Sequence, residues 1–123
     1  MFTISKSFSF DAAHQLDGLP ESHPCTRMHG HTYMVIVELQ APVLNKIGFV
    51  KDYRELATVK EYIDGQLDHQ NLNIVLYPMN PTAELIAEHL YNQFKAIIPE
   101  LVAVTVKETP KTAARYEPAN HSR

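Results

Sequence analysis

The sequence FTISKSFSF, residues 2–10, places apolar side chains at alternate positions and small polar side chains between them. The apolar row is Phe2, Ile4, Phe8 and Phe10, interrupted by Lys6, and the polar row is Thr3, Ser5, Ser7 and Ser9. A period of two is typical of a β-strand with one face toward a core. We therefore predict a strand here, ending at His14, whose serine-rich face stays exposed.

Three further segments have the alternation or the β-branched content of strands. They are His31–Gln40, Leu101–Glu108 and the weaker Thr112–Tyr116. Two other segments repeat apolar residues at helical spacing. The first predicted helix starts at Asp52 and should stop at Gly65, and its apolar stripe is Leu56, Val59 and Ile63. The second starts at Asn80-Pro81 and stops before Pro99, and its apolar stripe is Leu85, Ile86, Leu90, Phe94 and Ile97. Residues 66–79 between the helices are predicted to form an ordered loop.

The order strand, strand, helix, helix, strand, strand predicts an α+β protein with a four-stranded antiparallel sheet. Two helices cover only one face of such a sheet, and its exposed edges can pair with another chain. We therefore expect a homo-oligomer. We predict a single domain over residues 1–118 and a frayed tail over residues 119–123.

Composition excludes several classes of function. The chain has 123 residues, a net charge of −3 and no basic run, which argues against nucleic-acid and membrane partners. No segment is long and apolar enough to span a membrane, and the N-terminal residues do not resemble a signal peptide. Cys25 is the only cysteine, so no intramolecular disulfide can form, and we expect a cytoplasmic protein.

The segment Cys25-Thr26-Arg27-Met28-His29-Gly30-His31 carries the chemistry, together with His14 upstream. Residues two apart on a strand project to the same side, so His29 and His31 can reach one metal ion. Antiparallel pairing of the first two strands would bring His14 alongside. Three imidazoles and a vacant position are typical of a catalytic zinc site. Alternatively, the thiol of Cys25 closes the coordination sphere and the zinc is only structural.

Asp68-His69 is a second candidate, because histidine titrates near neutral pH and can move protons. The alternative for Asp68 is a loop cap. Side chains of adjacent residues do not easily hydrogen-bond, so the pair would converge through the shape of the loop or across a subunit boundary. Glu108 is either an edge-strand charge or an acceptor of two parallel N–H bonds. We assign His23, His89 and His121 to a loop, a helix packing stripe and the tail, respectively.

Several motifs, in this order, resemble those of the 6-pyruvoyltetrahydropterin synthase family over nearly the whole chain. They are Phe10-x-Ala12-Ala13-His14, Cys25-x-x-x-His29-Gly30-His31, Asp52, Leu67-Asp68-His69-x-x-Leu72-Asn73, Asn80-Pro81-Thr82-x-Glu84 and Lys107-Glu108-Thr109. The resemblance implies a tunnelling fold (T-fold), in which ββααββ subunits close into a barrel of trimers, commonly stacked as a hexamer with active sites between subunits. It also implies the following roles: His14, His29 and His31 as Zn²⁺ ligands, Cys25 as catalytic base, Asp68 and His69 as proton relay, Glu108 and Thr109 as pterin contacts, and Thr82 and Glu84 as site-wall residues.

Spacing points to one branch of the family. Three residues between Cys25 and His29, and the run Glu21-x-His23-x-Cys25-x-Arg27, resemble the bacterial carboxy-forming branch. That branch is a zinc-dependent lyase, which converts 7,8-dihydroneopterin triphosphate to 6-carboxytetrahydropterin, releasing acetaldehyde and triphosphate, on the way to queuosine. Arg27, Lys107 and Lys111 are candidate phosphate contacts, or else solvated surface charges. The alternatives are a pyruvoyl-forming synthase and a non-catalytic, zinc-stabilised oligomeric module. Lys51 and the residues after Thr109 depart from the family pattern.

Overall fold

The structure, a computed structural model, describes residues 1–119. Within these residues the chain forms one five-stranded sheet, and the three α-helices lie between the second and fourth strands in sequence. The strands are β1 Phe2–His14, β2 His29–Ala41, β3 Gln70–Asn71, β4 Leu101–Thr109 and β5 Thr112–Tyr116. The α-helices are α1 Ala57–Tyr62, α2 Leu72–Val75 and α3 Ala83–Phe94.

The sheet has the strand order β3-β1-β2-β4-β5. β1, β2, β4 and β5 pair antiparallel, as predicted, and β1 and β2 pair along their whole length from Phe2↔Ala41 to His14↔His29. The prediction of four strands was wrong by one, because the two-residue strand β3 adds in parallel to the outer edge of β1. Two residues are too few to show a period, so no pattern could reveal this strand.

The core lies on one face of the sheet, between the strands and the helices. From β2 it takes the predicted apolar row, because Tyr33, Val35, Val37 and Leu39 have no exposed surface. From the predicted row of β1 it takes Phe8 and Phe10, with Ile4 partly buried, whereas Phe2 at the start of the strand is exposed. Helix α3 packs on β4 and β5 and buries Ile86, Leu90 and Phe94 against them. The serines of β1 are exposed on the opposite face, as predicted.

The first predicted helix is more broken than its pattern indicated. Asp52 does cap it, accepting the N–H of Arg54 at 2.9 Å, but a short 3₁₀ turn precedes α1 and a wide π turn, Ile63–Leu67, follows it. Gly65 therefore does not stop the helix. The wide turn delivers Ile63 and Leu67 to the core together, and burial of both outweighs regular helical geometry.

The second predicted helix begins later than expected. Its first residue is Ala83 rather than Pro81, because the Thr82 side chain accepts the N–H of Leu85 and caps the helix. Leu85 and Ile97 are exposed, and Ile98 takes the buried position at the helix end. Residues 66–79, predicted as a loop, contain β3 and α2. None of the helices in residues 1–119 is long and apolar enough to cross a membrane.

The predicted tail, residues 119–123, lies outside the described residues except for Ala119, and so does His121.

Candidate metal and acid–base site

Three imidazoles meet at the end of the β1–β2 ladder, on the face of the sheet that carries the core. The register pairs His14 with His29 and Ala12 with His31, so the three histidines project from neighbouring positions on one face. One nitrogen from each ring lies within 4.8 Å of the others. The ring centroids are 4.6 to 5.1 Å apart and the rings stand steeply to one another. The sequence prediction of a histidine cluster is confirmed as geometry.

Backbone carbonyls orient two of the three rings. His14 Nδ1 lies 2.8 Å from the carbonyl oxygen of Pro81, and His29 Nδ1 lies 2.7 Å from that of Arg27. A carbonyl can only accept, so each Nδ1 carries the proton and donates it. The lone pair of Nε2 is then free on both rings, which is the arrangement that metal-binding histidines adopt.

His14 is the most enclosed of the three ligands. Its side chain has no exposed surface, and its Nε2 is buried without a hydrogen-bond partner among residues 1–119. Burial lowers the pKa of His14 below 6.5, although the Pro81 carbonyl and Glu108 act in the opposite direction. A neutral imidazole with an unpaired, buried nitrogen is suited to a cation.

The donor set fits a divalent transition metal such as zinc. Neutral imidazole nitrogens are ordinary Zn²⁺ ligands, and three protein ligands with one open position are typical of catalytic sites. Within the described residues the group of mutually close ligand atoms contains the three histidines and does not include the thiol of Cys25. The arrangement therefore favours an open fourth position over a coordination sphere closed by sulfur.

Cys25 lies on the loop that leads into β2. It is half-buried in a single 3₁₀ turn, and the Nδ1 of His23 accepts its backbone N–H at 3.1 Å. The Cys25 carbonyl accepts the N–H of Leu16 at 2.8 Å, which ties the loop to the segment that follows His14. His23, predicted as a loop residue, thus caps the turn that carries the thiol.

Asp68 and His69 attach to the outer edge of β1 at Asp11. One Asp68 oxygen accepts the backbone N–H of Asp11 at 2.9 Å, and the N–H of His69 donates to the Asp11 carbonyl at 2.6 Å. The other Asp68 oxygen lies 2.9 Å from His69 Nδ1. These adjacent side chains do bond, because His69 has φ of 59°, a left-handed conformation that folds its ring back over its neighbour. The shape of the loop brings the pair together.

The electrostatics of the pair favour a charged couple. The hydrogen bond from the Asp11 N–H, and then that from His69, lower the pKa of Asp68. The hydrogen bond to Asp68 raises the pKa of His69 above 6.5. His69 lines a cavity of about 620 Å³ together with His31 of the cluster and with Asp11 and Thr32, whose side chains alternate to the other face of the sheet. Among residues 1–119 no hydrogen bond or ion pair connects Asp68 or His69 to the three-histidine cluster.

Glu108 lies beside the metal-ligand cluster. Its Oε2 is 3.4 Å from His14 Nε2, and its side chain is about one quarter exposed. It lines a cavity of about 270 Å³ with Glu84, at the start of α3, and with residues of β5. Glu108 is therefore no isolated edge charge, because its carboxylate contacts His14 and the residue also lines this cavity.

The remaining predicted site residues surround this region in different ways. The Thr109 hydroxyl accepts the N–H of Lys111 and contacts Thr112 in the turn between β4 and β5. Thr82 caps α3, and its role in the site wall stays a prediction. Arg27 is exposed, and it is its carbonyl that contacts His29.

Sequence reasoning missed Tyr33 as a neighbour of the site. Its ring is fully buried, 5.5 Å from the His31 ring and 5.8 Å from the His14 ring, and it stacks on Phe10 at 4.9 Å. Burial, and then the charge of Glu108, raise the pKa of its hydroxyl. The signal was present, since Tyr33 stands two positions after His31 and must share its face.

Three imidazoles that could hold one metal ion, with the carboxylate of Glu108 beside them, are the kind of site found in metal-dependent enzymes. The sequence narrows the class further. Residues 3–119 match the model of the family described as 6-pyruvoyl tetrahydropterin synthase, and the chain belongs to that family.

Known relatives cover nearly the whole chain. A protein of Synechocystis sp. named 6-carboxy-5,6,7,8-tetrahydropterin synthase is 37% identical, over 94% of this chain and 93% of its own. A Haemophilus influenzae protein of the same name is 32% identical, over 95% and 99% of the two chains. Among solved structures, the 6-pyruvoyl tetrahydropterin synthase of Caenorhabditis elegans superposes with a TM-score of 0.85 at 27% identity, covering 96% of each chain. The predicted T-fold is thereby confirmed.

Proposed function

We propose that this chain is a zinc-dependent 6-carboxytetrahydropterin synthase. It would convert 7,8-dihydroneopterin triphosphate and water to 6-carboxytetrahydropterin, acetaldehyde and triphosphate, a step toward queuosine. The observation that carries the proposal is the cluster of three imidazole nitrogens within 4.8 Å, next to the carboxylate of Glu108. The names of the two bacterial relatives support the choice of reaction.

His14, His29 and His31 would hold the metal ion through one ring nitrogen each. A bound zinc ion supplies Lewis acidity toward substrate hydroxyl groups. The backbone carbonyls of Pro81 and Arg27 keep the His14 and His29 rings in the tautomer that leaves Nε2 available. The burial that lowers the pKa of His14 favours the neutral form that can bind a metal.

Two groups would move protons. Cys25, half-buried beside the segment after His14, would remove a proton from substrate carbon. His69 would donate and accept protons as the side chain rearranges, with Asp68 orienting its ring through the 2.9 Å contact at Nδ1. Because Asp68 raises the pKa of His69, more of the ring is protonated at neutral pH, which suits a proton donor.

Glu108 would bind the pterin ring. An ionised carboxylate can accept two parallel N–H bonds from an aminopyrimidine edge, as it does from a guanidinium. The distance of 3.4 Å between Glu108 Oε2 and His14 Nε2 supports this role, because one substrate could then contact both the carboxylate and the proposed metal ion. Thr109 would assist at the ring, Thr82 and Glu84 would form the wall, and Arg27, Lys107 and Lys111 would meet the triphosphate.

We also propose that the working unit is a cytoplasmic homohexamer, a dimer of trimers with active sites between subunits. In one chain, His31 is the one residue of the histidine cluster that lines the same cavity as His69, and no hydrogen bond or ion pair within residues 1–119 joins His69 to the cluster. A second copy bringing its own histidine cluster to that cavity would unite all the proposed groups. The open serine-rich face and the sheet edges are the surfaces that such copies would cover.

The decisive experiment incubates the zinc-loaded protein with 7,8-dihydroneopterin triphosphate and measures acetaldehyde and product mass. We expect stoichiometric acetaldehyde and 6-carboxytetrahydropterin. A pyruvoyl pterin without acetaldehyde would move the protein to the pyruvoyl-forming reaction. No product from a folded, metal-loaded protein that also fails to bind pterins would support the non-catalytic oligomeric module instead.

A further inference from the structure

The three residues that follow His14 leave the sheet, yet each of them is fixed by hydrogen bonds. The side-chain amide of Asn73, on α2, holds the first of them from both sides. Its Oδ1 accepts the backbone N–H of Gln15 at 2.8 Å, and its Nδ2 donates to the Gln15 carbonyl at 2.9 Å. The amide thus takes the place that a neighbouring strand would have.

Asn80 repeats this arrangement two residues further along. Its Oδ1 accepts the N–H of Asp17 at 3.0 Å, and its Nδ2 donates to the Asp17 carbonyl at 3.2 Å. Asn80 immediately precedes Pro81, whose carbonyl accepts from the ring of His14. The same short connection before α3 therefore holds both the ligand and the chain beyond it.

The residue between the two clamped positions reaches the loop of the proposed base. Leu16 donates its N–H to the carbonyl of Cys25 at 2.8 Å. Cys25 sits in a 3₁₀ turn of only three residues, and its backbone N–H is bonded within that same loop, to His23. The segment 15–17 therefore connects the strand end at His14 to the loop of Cys25 through one backbone hydrogen bond.

We propose that Asn73 and Asn80 are positioning residues, which hold the segment 15–17 so that the thiol of Cys25 stands at a fixed place relative to the metal-ligand cluster. The inference rests on the proposed function, in which Cys25 is the base. His14 itself is held by the β1–β2 ladder and by Pro81. Loss of one clamp should therefore displace Cys25 while leaving the metal ligands in place.

The test compares Asn73→Ala and Asn80→Ala with the parent, as zinc-loaded proteins. We expect kcat to fall about tenfold or more with KM changed less than about threefold, because a misplaced base affects the chemical step. Cys25 is the only cysteine, so its alkylation by iodoacetamide reports its surroundings directly, and the rate should rise several-fold. The zinc content should stay at about one ion per chain, because all three histidine ligands are intact in these variants.

The aspartate variants, Asn73→Asp and Asn80→Asp, should fall between alanine and the parent, since they retain the acceptor for the N–H but lose the donor. If an alanine variant does not fold, the same measurements on the aspartate variant replace it. Asn45→Ala is the matched control: Asn45 accepts three backbone N–H groups in the turn between β2 and α1, so its loss costs local stability without reaching Cys25.

Unchanged alkylation of Cys25 and unchanged kcat in both clamp variants would overturn the proposal, and so would effects no larger than those of Asn45→Ala. Loss of zinc in step with loss of turnover would also overturn it, because the clamps would then act on the ligands. The alkylation and zinc measurements need no turnover. A parent protein that makes no product would therefore refute the proposed reaction while leaving the clamps to be judged separately.

Discussion

His14 and His69 are the same residue type in opposite surroundings within one small molecule. His14 has no exposed surface, lies under the helices and is fixed by a backbone carbonyl. The side chain of His69 is 78% exposed at the sheet edge and is fixed by a carboxylate. Burial lowers the pKa of the first, and the hydrogen bond that the ring donates to Asp68 raises the pKa of the second.

The difference shows that burial and the partner of Nδ1 together decide what an imidazole can do. Burial favours the uncharged form of His14, and the carbonyl acceptor holds the proton on Nδ1, so that the lone pair of Nε2 suits a metal ligand. A carboxylate favours the protonated ring of His69, which suits a proton donor. Both partners come from segments distant in sequence or from unusual backbone, so a list of histidines does not separate the two roles.

The largest effect is expected from His14→Ala. Loss of a primary ligand should weaken zinc binding more than about 100-fold and abolish turnover, since outer-shell changes alone cost 10–100-fold. Zinc content after dialysis, measured by mass spectrometry, checks this. His89→Gln is the control, because His89 is half-buried on α3 and bonds to Tyr62 rather than to the cluster. Full zinc content in His14→Ala would refute the metal site.

A smaller effect is expected from Asp68→Asn, read on His69 by NMR titration. In the parent the pKa of His69 lies above 6.5, and the variant should return it toward that value. The stabilisation from this shift is complete below pH 6.5 and is lost as the pH rises through the folded-state pKa. The pKa of Asp68 is lowered in the folded protein, so this carboxylate stabilises the fold above pH 3.8, its ordinary pKa. That stabilisation is lost as the pH falls through the folded-state pKa.

Asp64→Asn is the control for this titration, because Asp64 is a surface carboxylate paired with Lys60. It should leave the titration of His69 unchanged. If Asp68→Asn also leaves the pKa of His69 unchanged, the carboxylate of Asp68 does not raise that pKa, and the contrast drawn between His14 and His69 fails.

The smallest effect is expected from Tyr33, which is buried beside the ring of His14. Its buried hydroxyl has no hydrogen-bond partner among residues 1–119, so Tyr33→Phe should leave the free energy of unfolding unchanged or raise it by about 1 kcal/mol. Tyr62→Phe is the matched change, because that hydroxyl bonds to His89 at 2.8 Å and its loss should cost about 1 kcal/mol. Urea denaturation measures both. Equal losses would show that the Tyr33 hydroxyl is paired.

Sequence patterns predicted the fold where one face of an element is buried and the other is exposed. Alternation located β1 and β2, and their antiparallel pairing followed from order alone. The apolar patterns failed to predict the ends of helices where several neighbouring residues are buried together, or where a capping side chain fixes the first turn. Gly65 lies inside a wide turn because Ile63 and Leu67 both reach the core, and Thr82 delays α3 by capping it.

The sequence predicted which histidines cluster in the site, but it did not predict the hydrogen bonds that orient their rings. Period two predicted that His29 and His31 share a face, and strand pairing placed His14 beside them. The Nδ1 partners, Pro81 and Arg27, contribute only carbonyls, which every residue has, so no residue type could mark them. The contact between Asp68 and His69 depends on a left-handed backbone that sequence alone does not reveal at a non-glycine position.

The φ of 59° at His69 has a thermodynamic consequence. A residue with a Cβ atom pays roughly 1–2 kcal/mol to occupy this region, and glycine would occupy it freely. A glycine at position 69 would therefore relieve this cost, whereas an imidazole retains it. The role of His69 that we propose, a proton donor and acceptor, is one that a glycine could not perform, and it would account for the retained strain.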